Sequence, residues 1–279
     1  MAQCDKWECA IPVVPPQIKK RRYGAFFIVF AFSYLVFYDL RMKYIDAHCH
    51  ILTDAQMRDA VLHGVGRFIV NATRPADWDA VVDLARCDDV YGAVGVHPWF
   101  VSELRDGWDG MLINALGANP NLMVGEIGLD KNRPDMELQE SVFCRQLQIA
   151  CDLNRVAHIH CVGVWGRMID ILRGVELPPA MVFHAFSGAP ELVPELVEMN
   201  AYFSFGVSVA DSTRARLRAA VAVVPSSRIL VESDAPDMEM PATVPTTVAE
   251  IARIRGANAG QLAETIYNNT MVAINGGKI

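Results

Sequence analysis

Tyr44-Ile45-Asp46-Ala47-His48-Cys49-His50 is a short apolar run that ends in two histidines one residue apart. On an extended strand, positions i and i+2 project to the same side. His48 and His50 therefore present two imidazoles to one point, which is half of a divalent-metal site. Two histidines at the end of a buried strand can also be purely structural, so the other segments decide between the readings.

From residue 43 onward, short β-rich apolar runs alternate with stretches of helical period. The runs cover residues 43–47, 67–71, 90–96, 122–127, 156–160, 180–186, 201–205 and 228–232. The first helix is opened by a Thr53-x-x-Gln56 capping box and closed at Gly64. Further helices are predicted over 75–86, 108–116, 135–153, 165–173, 190–199 and 211–224, with 246–255 and 259–274 closing the chain. Residues 128–134 read as a loop. Eight strands alternating with helices predict an α/β fold, a (β/α)₈ TIM barrel, as a single domain over residues 42–279. An open doubly wound sheet is the competing architecture, but no Gly-x-Gly-x-x-Gly turn follows the first strand.

Hydrophobic residues make up 52% of the 279, which excludes wholesale disorder. A formal net charge of −7 argues against holding nucleic acid by bulk electrostatics. It does not exclude a nucleic-acid enzyme, because metal ions add local positive charge. Cys4, Cys9, Cys49, Cys87, Cys144, Cys151 and Cys161 are scattered, with no Cys-x-x-Cys. That pattern fits a reduced, cytoplasmic setting better than a disulfide framework.

Residues 1–41 form an N-terminal extension unlike the rest: Lys19-Lys20-Arg21-Arg22 precedes an uncharged, aromatic-rich run at 23–38. Three readings are open. The extension is an upstream start assigned in error ahead of Met42, or a membrane anchor through residues 23–38, or a buried or disordered tail. The run is 16 residues long, short of the ~17–25 that usually span a bilayer, and no Ala-x-Ala-like cleavage site follows it. The anchor reading alone gives the protein a membrane partner, and no protein partner is legible.

Barrel enzymes carry their chemistry at the C-terminal ends of the strands. Six of the seven histidines fall there: His48, His50, His97, His158, His160 and His184. The carboxylates Glu126 and Asp234 join them, while His63 falls near a helix end and reads as structural. Each of these residues alone has an ordinary structural explanation; together they converge on one rim. Two divalent metals share such donors naturally, since imidazoles are neutral and a carboxylate can bridge and offset the paired charge. Such a pair acidifies a water and stabilises both oxygens of a phosphoryl transfer. Asp234 is placed to hold one metal and to take the water's proton as general base.

The chain from residue 42 onward resembles the TatD family of metal-dependent hydrolases, within the amidohydrolase barrel group. The matching segments are Ile45-Asp46-Ala47-His48-Cys49-His50, Gly95-Val96-His97-Pro98, Val124-Gly125-Glu126-Ile127-Gly128-Leu129-Asp130, Ile159-His160-Cys161, Phe183-His184-Ala185-Phe186-Ser187-Gly188, Ser204-Phe205-Gly206 and Glu232-Ser233-Asp234-Ala235-Pro236. The resemblance implies two divalent ions, Mg²⁺ or Zn²⁺ with Mn²⁺ as a further option. His48, His50, Glu126 and Asp234 would hold one ion; Glu126, His160 and His184 would hold the other. It also implies that His97 contacts a substrate phosphate and that the activity is that of a deoxyribonuclease. His158 receives no role.

Three places depart from the family pattern. Val162 stands where members often carry Arg, Lys131 stands where they often carry Tyr, and residues 237–245 contain no Arg or Lys. Arginine is the usual fork for a phosphate. A phosphodiesterase acting on DNA is therefore weighed against a hydrolase of small esters, lactones or amides, and against a non-catalytic metal-bound adaptor.

Overall fold

The structure is a computed structural model and describes residues 44–277 apart from Asp237. Its strands are β1 (Tyr44–Cys49), β2 (Val65–Asn71), β3 (Val90–Val94), β4 (Met123–Asp130), β5 (Ala157–Val162), β6 (Met181–Phe183), β7 (Ala201–Phe205) and β8 (Ile229–Val231). They run parallel, in sequence order, in one eight-stranded sheet. The helices between and after them are α1 (Asp54–Leu62), α2 (Trp78–Leu84), α3 (Trp108–Ala118), α4 (Met136–Asp152), α5 (Trp165–Gly174), α6 (Val193–Glu198), α7 (Ala215–Val223), α8 (Val244–Arg255) and α9 (Ala259–Ile274). This is the expected TIM barrel. The N-terminal extension at residues 1–41, including the run at 23–38, and Met42 after it lie outside the described residues. Among the described residues no helix is long and apolar enough to cross a membrane.

The two-residue period of the strands sorts the barrel into layers. One set of alternate residues, including Phe68, Val124, Ile159, Phe183, Phe203 and Val231, packs with helix residues such as Leu112, Phe143, Leu147, Met168 and Ile251. The other set forms a second apolar cluster containing Ala47, Ile69, Ala93, Met123, Val156, Val182, Tyr202 and Leu230. Two residues further along, these inner rows turn polar: Asn71 follows Ile69, His158 and His160 follow Val156, His184 follows Val182, Ser204 follows Tyr202, and Glu232 follows Leu230. All six are buried. The chain thus builds an apolar plug and sets its chemistry on top of it.

Hydrogen bonds close the seam between β8 and β1 just beyond the strand ends. Asp234 N donates to His48 O at 2.9 Å and His50 N to Ala235 O at 2.7 Å. Below them the fully buried Asp46 accepts from Ser233 N at 2.9 Å and from Ser233 Oγ at 2.5 Å. One carboxylate therefore fixes the relation between the strand carrying His48 and the loop carrying Asp234. Asp46→Ala is expected to cost about 1–3 kcal/mol for each buried donor left unpaired. Thermal unfolding would read this as a drop of roughly 2–4 °C per kcal/mol. An unchanged melting temperature would show that the seam does not depend on Asp46.

The Thr53–Gln56 capping box is present at the start of α1, and α9 has its expected bounds. Several strand ends differ from the sequence reading. β4 does not stop at residue 127 but runs to Asp130, so part of the predicted 128–134 loop is strand. Gly128 allows this. Its φ is +148°, and a Cβ there would lie 1.9 Å from His160 O, so only glycine lets β4 approach β5 so closely. β5 likewise extends to Val162, whereas β6 is only Met181–Phe183 and its chain turns away before residue 186. Glu126, His158 and His160 accordingly lie within strands rather than at their ends.

Candidate metal centre

Glu126 is the hub. It is buried on β4, and its two carboxylate oxygens face two different groups of histidines. Oε2 lies 3.3 Å from His48 Nε2 and 3.7 Å from His50 Nε2. Oε1 lies 2.7 Å from His184 Nε2, 2.9 Å from His160 Nδ1 and 3.2 Å from His97 Nε2. Asp234 sits on the first side, with Oδ1 3.4 Å from His50 Nε2 and 3.7 Å from His48 Nε2. All seven residues expected at the site are thus brought together, and the i, i+2 relation of His48 and His50 delivers both rings to one carboxylate oxygen.

Neighbouring groups set which ring nitrogen faces inward. His50 Nδ1 lies 3.0 Å from the carbonyl of Asn71 and donates to it, which leaves Nε2 with its lone pair toward Glu126 and Asp234. His160 turns Nε2 toward Asp130 Oδ2 at 3.5 Å, which leaves Nδ1 for the centre. His97 is the opposite case. Its Nδ1 accepts the N–H of Trp99 at 3.2 Å, so in the neutral ring the proton sits on Nε2, and that nitrogen donates toward Glu126. His97 therefore keeps a hydrogen-bond donor inward even as a neutral ring, where His50 and His160 offer a lone pair once they are neutral.

Burial by itself would raise the Glu126 carboxyl, but the imidazoles of His184, His97 and His48 hold it well below the usual range. Burial opposes charge on His184, yet Glu126 pushes its pKa up to about 10. His50 is likewise raised to about 9 against burial, by Asp234 and Glu126. His48 goes the other way: burial and the neighbouring His184 lower it to about 4. Asp234 is held below its ordinary value, with His50 and His184 overcoming its burial. Burial raises Glu232 to about 8.

The donors fit divalent metal. His48 is fully buried, and neither ring nitrogen makes a hydrogen bond within the described residues, although Nε2 lies close to two carboxylates. Such an atom is costly unless something accepts its lone pair. Two overlapping sets could hold an ion with the rings as they stand: His48, His50 and Glu126; and His48, His184 and Asp234; a third, His97, Glu126 and His160, would need His97 to give up the proton on Nε2. Neutral imidazoles with carboxylates suit Zn²⁺, Mn²⁺ and related ions.

Sequence reasoning missed four contributors. Asp130 supports His160 and also accepts from Trp99 Nε1 at 2.7 Å and Asn132 N at 2.8 Å. Its place four residues after Glu126 on one strand was the signal, since i and i+4 share a face. Glu232, two residues before Asp234, accepts Ala185 N at 2.5 Å and faces His184 Nδ1 at 3.9 Å. Asp46 and Trp99 carried no pattern signal of their own. His158 lies one layer below, buried, with its ring centroid 6.1 Å from that of His48 and no hydrogen bond in the described residues.

Residues 45–275 match the family model described as TatD related DNase. The chain is 28% identical over 254 residues to the uncharacterized metal-dependent hydrolase YjjV of Escherichia coli K12, covering 84% of this chain and 98% of that one. It is 30% identical over 225 residues to the 3′-5′ ssDNA/RNA exonuclease TatD of the same strain, covering 74% and 86%. The crystal structure of E. coli YjjV superposes with a TM-score of 0.80 at 27% identity, over 84% of this chain and 99% of that one. A TatD family protein from Entamoeba histolytica shares the fold at a TM-score of 0.69 and 15% identity, over 82% and 97%. The match takes in all eight strands and every residue that faces Glu126, and by it the chain belongs to the TatD family of metal-dependent hydrolases.

Proposed function

We propose that this hydrolase is a two-metal phosphodiesterase that degrades single-stranded nucleic acid from an end. One observation carries the reading: the two oxygens of Glu126 face separate histidine groups, as a carboxylate bridging two ions requires. On this reading His48, His50, Glu126 and Asp234 hold one divalent ion, and Glu126, His160 and His184 hold the other. Bound there, a pair of ions (Mg²⁺, Mn²⁺ or Zn²⁺) supplies an acidified water and stabilises the attacking and leaving oxygens of the phosphoryl transfer. The chain's own residues do the rest. Asp234, held below its ordinary pKa, is ionised at neutral pH and accepts the water's proton. His97 points its Nε2–H at the centre and contacts a phosphate oxygen. Asp130 fixes the ring of His160, and Glu232 backs His184.

A second reading has its own support. Ile51, Met238 and Met240 follow β1 and β8 and are exposed, which adds apolar surface next to these strand ends. That favours a small ester, lactone or amide. No observation of comparable kind favours a non-catalytic adaptor. Cys49, Cys144, Cys151 and Cys161 are free thiols, which fits a cytoplasmic enzyme.

With each of the three metals in turn, the protein is expected to shorten a 3′-exposed single strand stepwise. The strand's affinity should fall linearly in log–log form as salt rises, with a slope of about −0.7 per phosphate contacted. Turnover of a small ester or amide, with salt-independent behaviour and no cleavage of the strand, would replace this reading by the second.

A further inference from the structure

The mouth of the barrel is not uniform. Away from the exposed Ile51, Met238 and Met240, which follow β1 and β8, the loops after β3 and β4 bring together an indole and a guanidinium. Trp99 is large and apolar, yet 47% of its surface is exposed. It is not loosely held: Nε1 donates to Asp130 Oδ2, and the ring meets that of His97 edge-on at 5.3 Å between centroids. The guanidinium of Arg133 lies over the ring, 4.1 Å from its centroid. Asp130 also anchors the loop that carries Arg133, accepting Asn132 N on its side chain and Arg133 N on its carbonyl. Most arginines of the barrel pair with carboxylates, as Arg145 does with Asp109, Arg173 with Glu195 and Arg218 with Glu250. Among the described residues none pairs with Arg133 or with Lys131 beside it.

A half-open aromatic plane, held rigid and topped by an uncompensated planar cation, is what a nucleobase and its phosphate require. Its place is also suitable. Trp99 adjoins His97, whose Nε2 faces Glu126, and it shares Asp130 with His160. Resting on the nuclease reading above, we infer that the Trp99–Arg133 stack is the platform for the terminal base of a single strand, with Arg133 pairing the adjoining phosphate. Trp99 supplies the stacking face and Arg133 the charge. The platform reads a π-face rather than a hydrogen-bond pattern, so it discriminates little among the four bases.

The test uses the metal-loaded full chain and two single-stranded oligonucleotides that differ only at the 3′ end, one normal and one abasic. Wild type is expected to favour the normal end by roughly tenfold in KM, the scale of one base stacked on one aromatic ring. Trp99→Ala should bring that ratio near one. Trp99→Phe keeps a ring but loses the N–H, and should retain most of the ratio, which separates stacking from the support of Asp130. Arg133→Ala should weaken both substrates alike and flatten the salt dependence by about one phosphate contact. A wild-type ratio of one, or an unchanged ratio in Trp99→Ala, overturns the platform while leaving the nuclease in place. An unchanged salt slope in Arg133→Ala overturns its phosphate half. No cleavage of either oligonucleotide by wild type removes the nuclease reading and the platform with it.

Discussion

Glu126→Gln is expected to abolish tight divalent-metal loading and, with it, hydrolysis. Glutamine keeps the shape of the side chain, so the buried site does not gain a cavity. What is lost is the one charge that both histidine groups face at 2.7–3.7 Å. Removing one partner of a buried charged set costs about 3–5 kcal/mol, or on the order of 10²–10⁴ in affinity for the ions. Equilibrium dialysis against Zn²⁺ or Mn²⁺ measures this directly. Glu126→Gln that still binds two equivalents with wild-type affinity would end the bridging role.

The same substitution has a signature in metal-free protein. There His184 sits near 10 and His50 near 9, above the ~6.5 of an unfolded imidazole. The folded state therefore binds more protons than the unfolded state across that interval, and stability falls as pH rises through it. The contribution is fully present below about 6.5 and is gone above about 10. In Glu126→Gln both imidazoles should titrate lower, His184 most, and the slope should flatten. Denaturant melts of chelated protein between these limits check the sign. A wild-type protein equally stable across them would contradict the pairing. The ions must displace the same protons, so apparent metal affinity should climb with pH over this range.

The barrel was legible because its two signals are periodic. Alternating runs marked the strands, and the polar residues that interrupt the inner rows marked the rim. His160 and His184 were legible for the same reason, lying a whole number of strand repeats above Val156 and Val182, whereas His48 and Glu126 come beside register shifts in β1 and β4 and were legible as motifs instead. Strand ends were less so. The extension of β4 to Asp130 depends on Gly128 approaching His160 O, a contact between segments far apart in sequence. The unread residues are those whose role is relational. Asp46 matters because Ser233 lies across a seam 187 positions away, and Trp99 matters because Asp130 reaches its indole from the next strand. His97 was read as a neighbour of the site; its donor role follows from Trp99 N occupying Nδ1, which no spacing encodes.

Asp234→Asn should lower kcat by about 10²–10⁴, the usual worth of a positioned general base, in a protein that folds and melts as wild type does. Asparagine is chosen for a backbone reason. Asp234 has φ of +56°, and Asp and Asn are among the few residues that enter the left-handed region readily. Alanine there would add about 1–2 kcal/mol of local strain and confuse a chemical loss with a folding one. The amide also keeps a neutral oxygen toward His48 and His50, so a saturating metal concentration can be reached and the comparison made on kcat. The wild-type carboxylate is held below its ordinary pKa by His50 and His184 despite burial. A carboxylate acting as base predicts an acidic limb in the wild-type kcat profile at saturating metal that Asp234→Asn alters. If instead kcat at saturating metal is unchanged and only the metal requirement rises, Asp234 is a ligand alone, and the proton must go to another group.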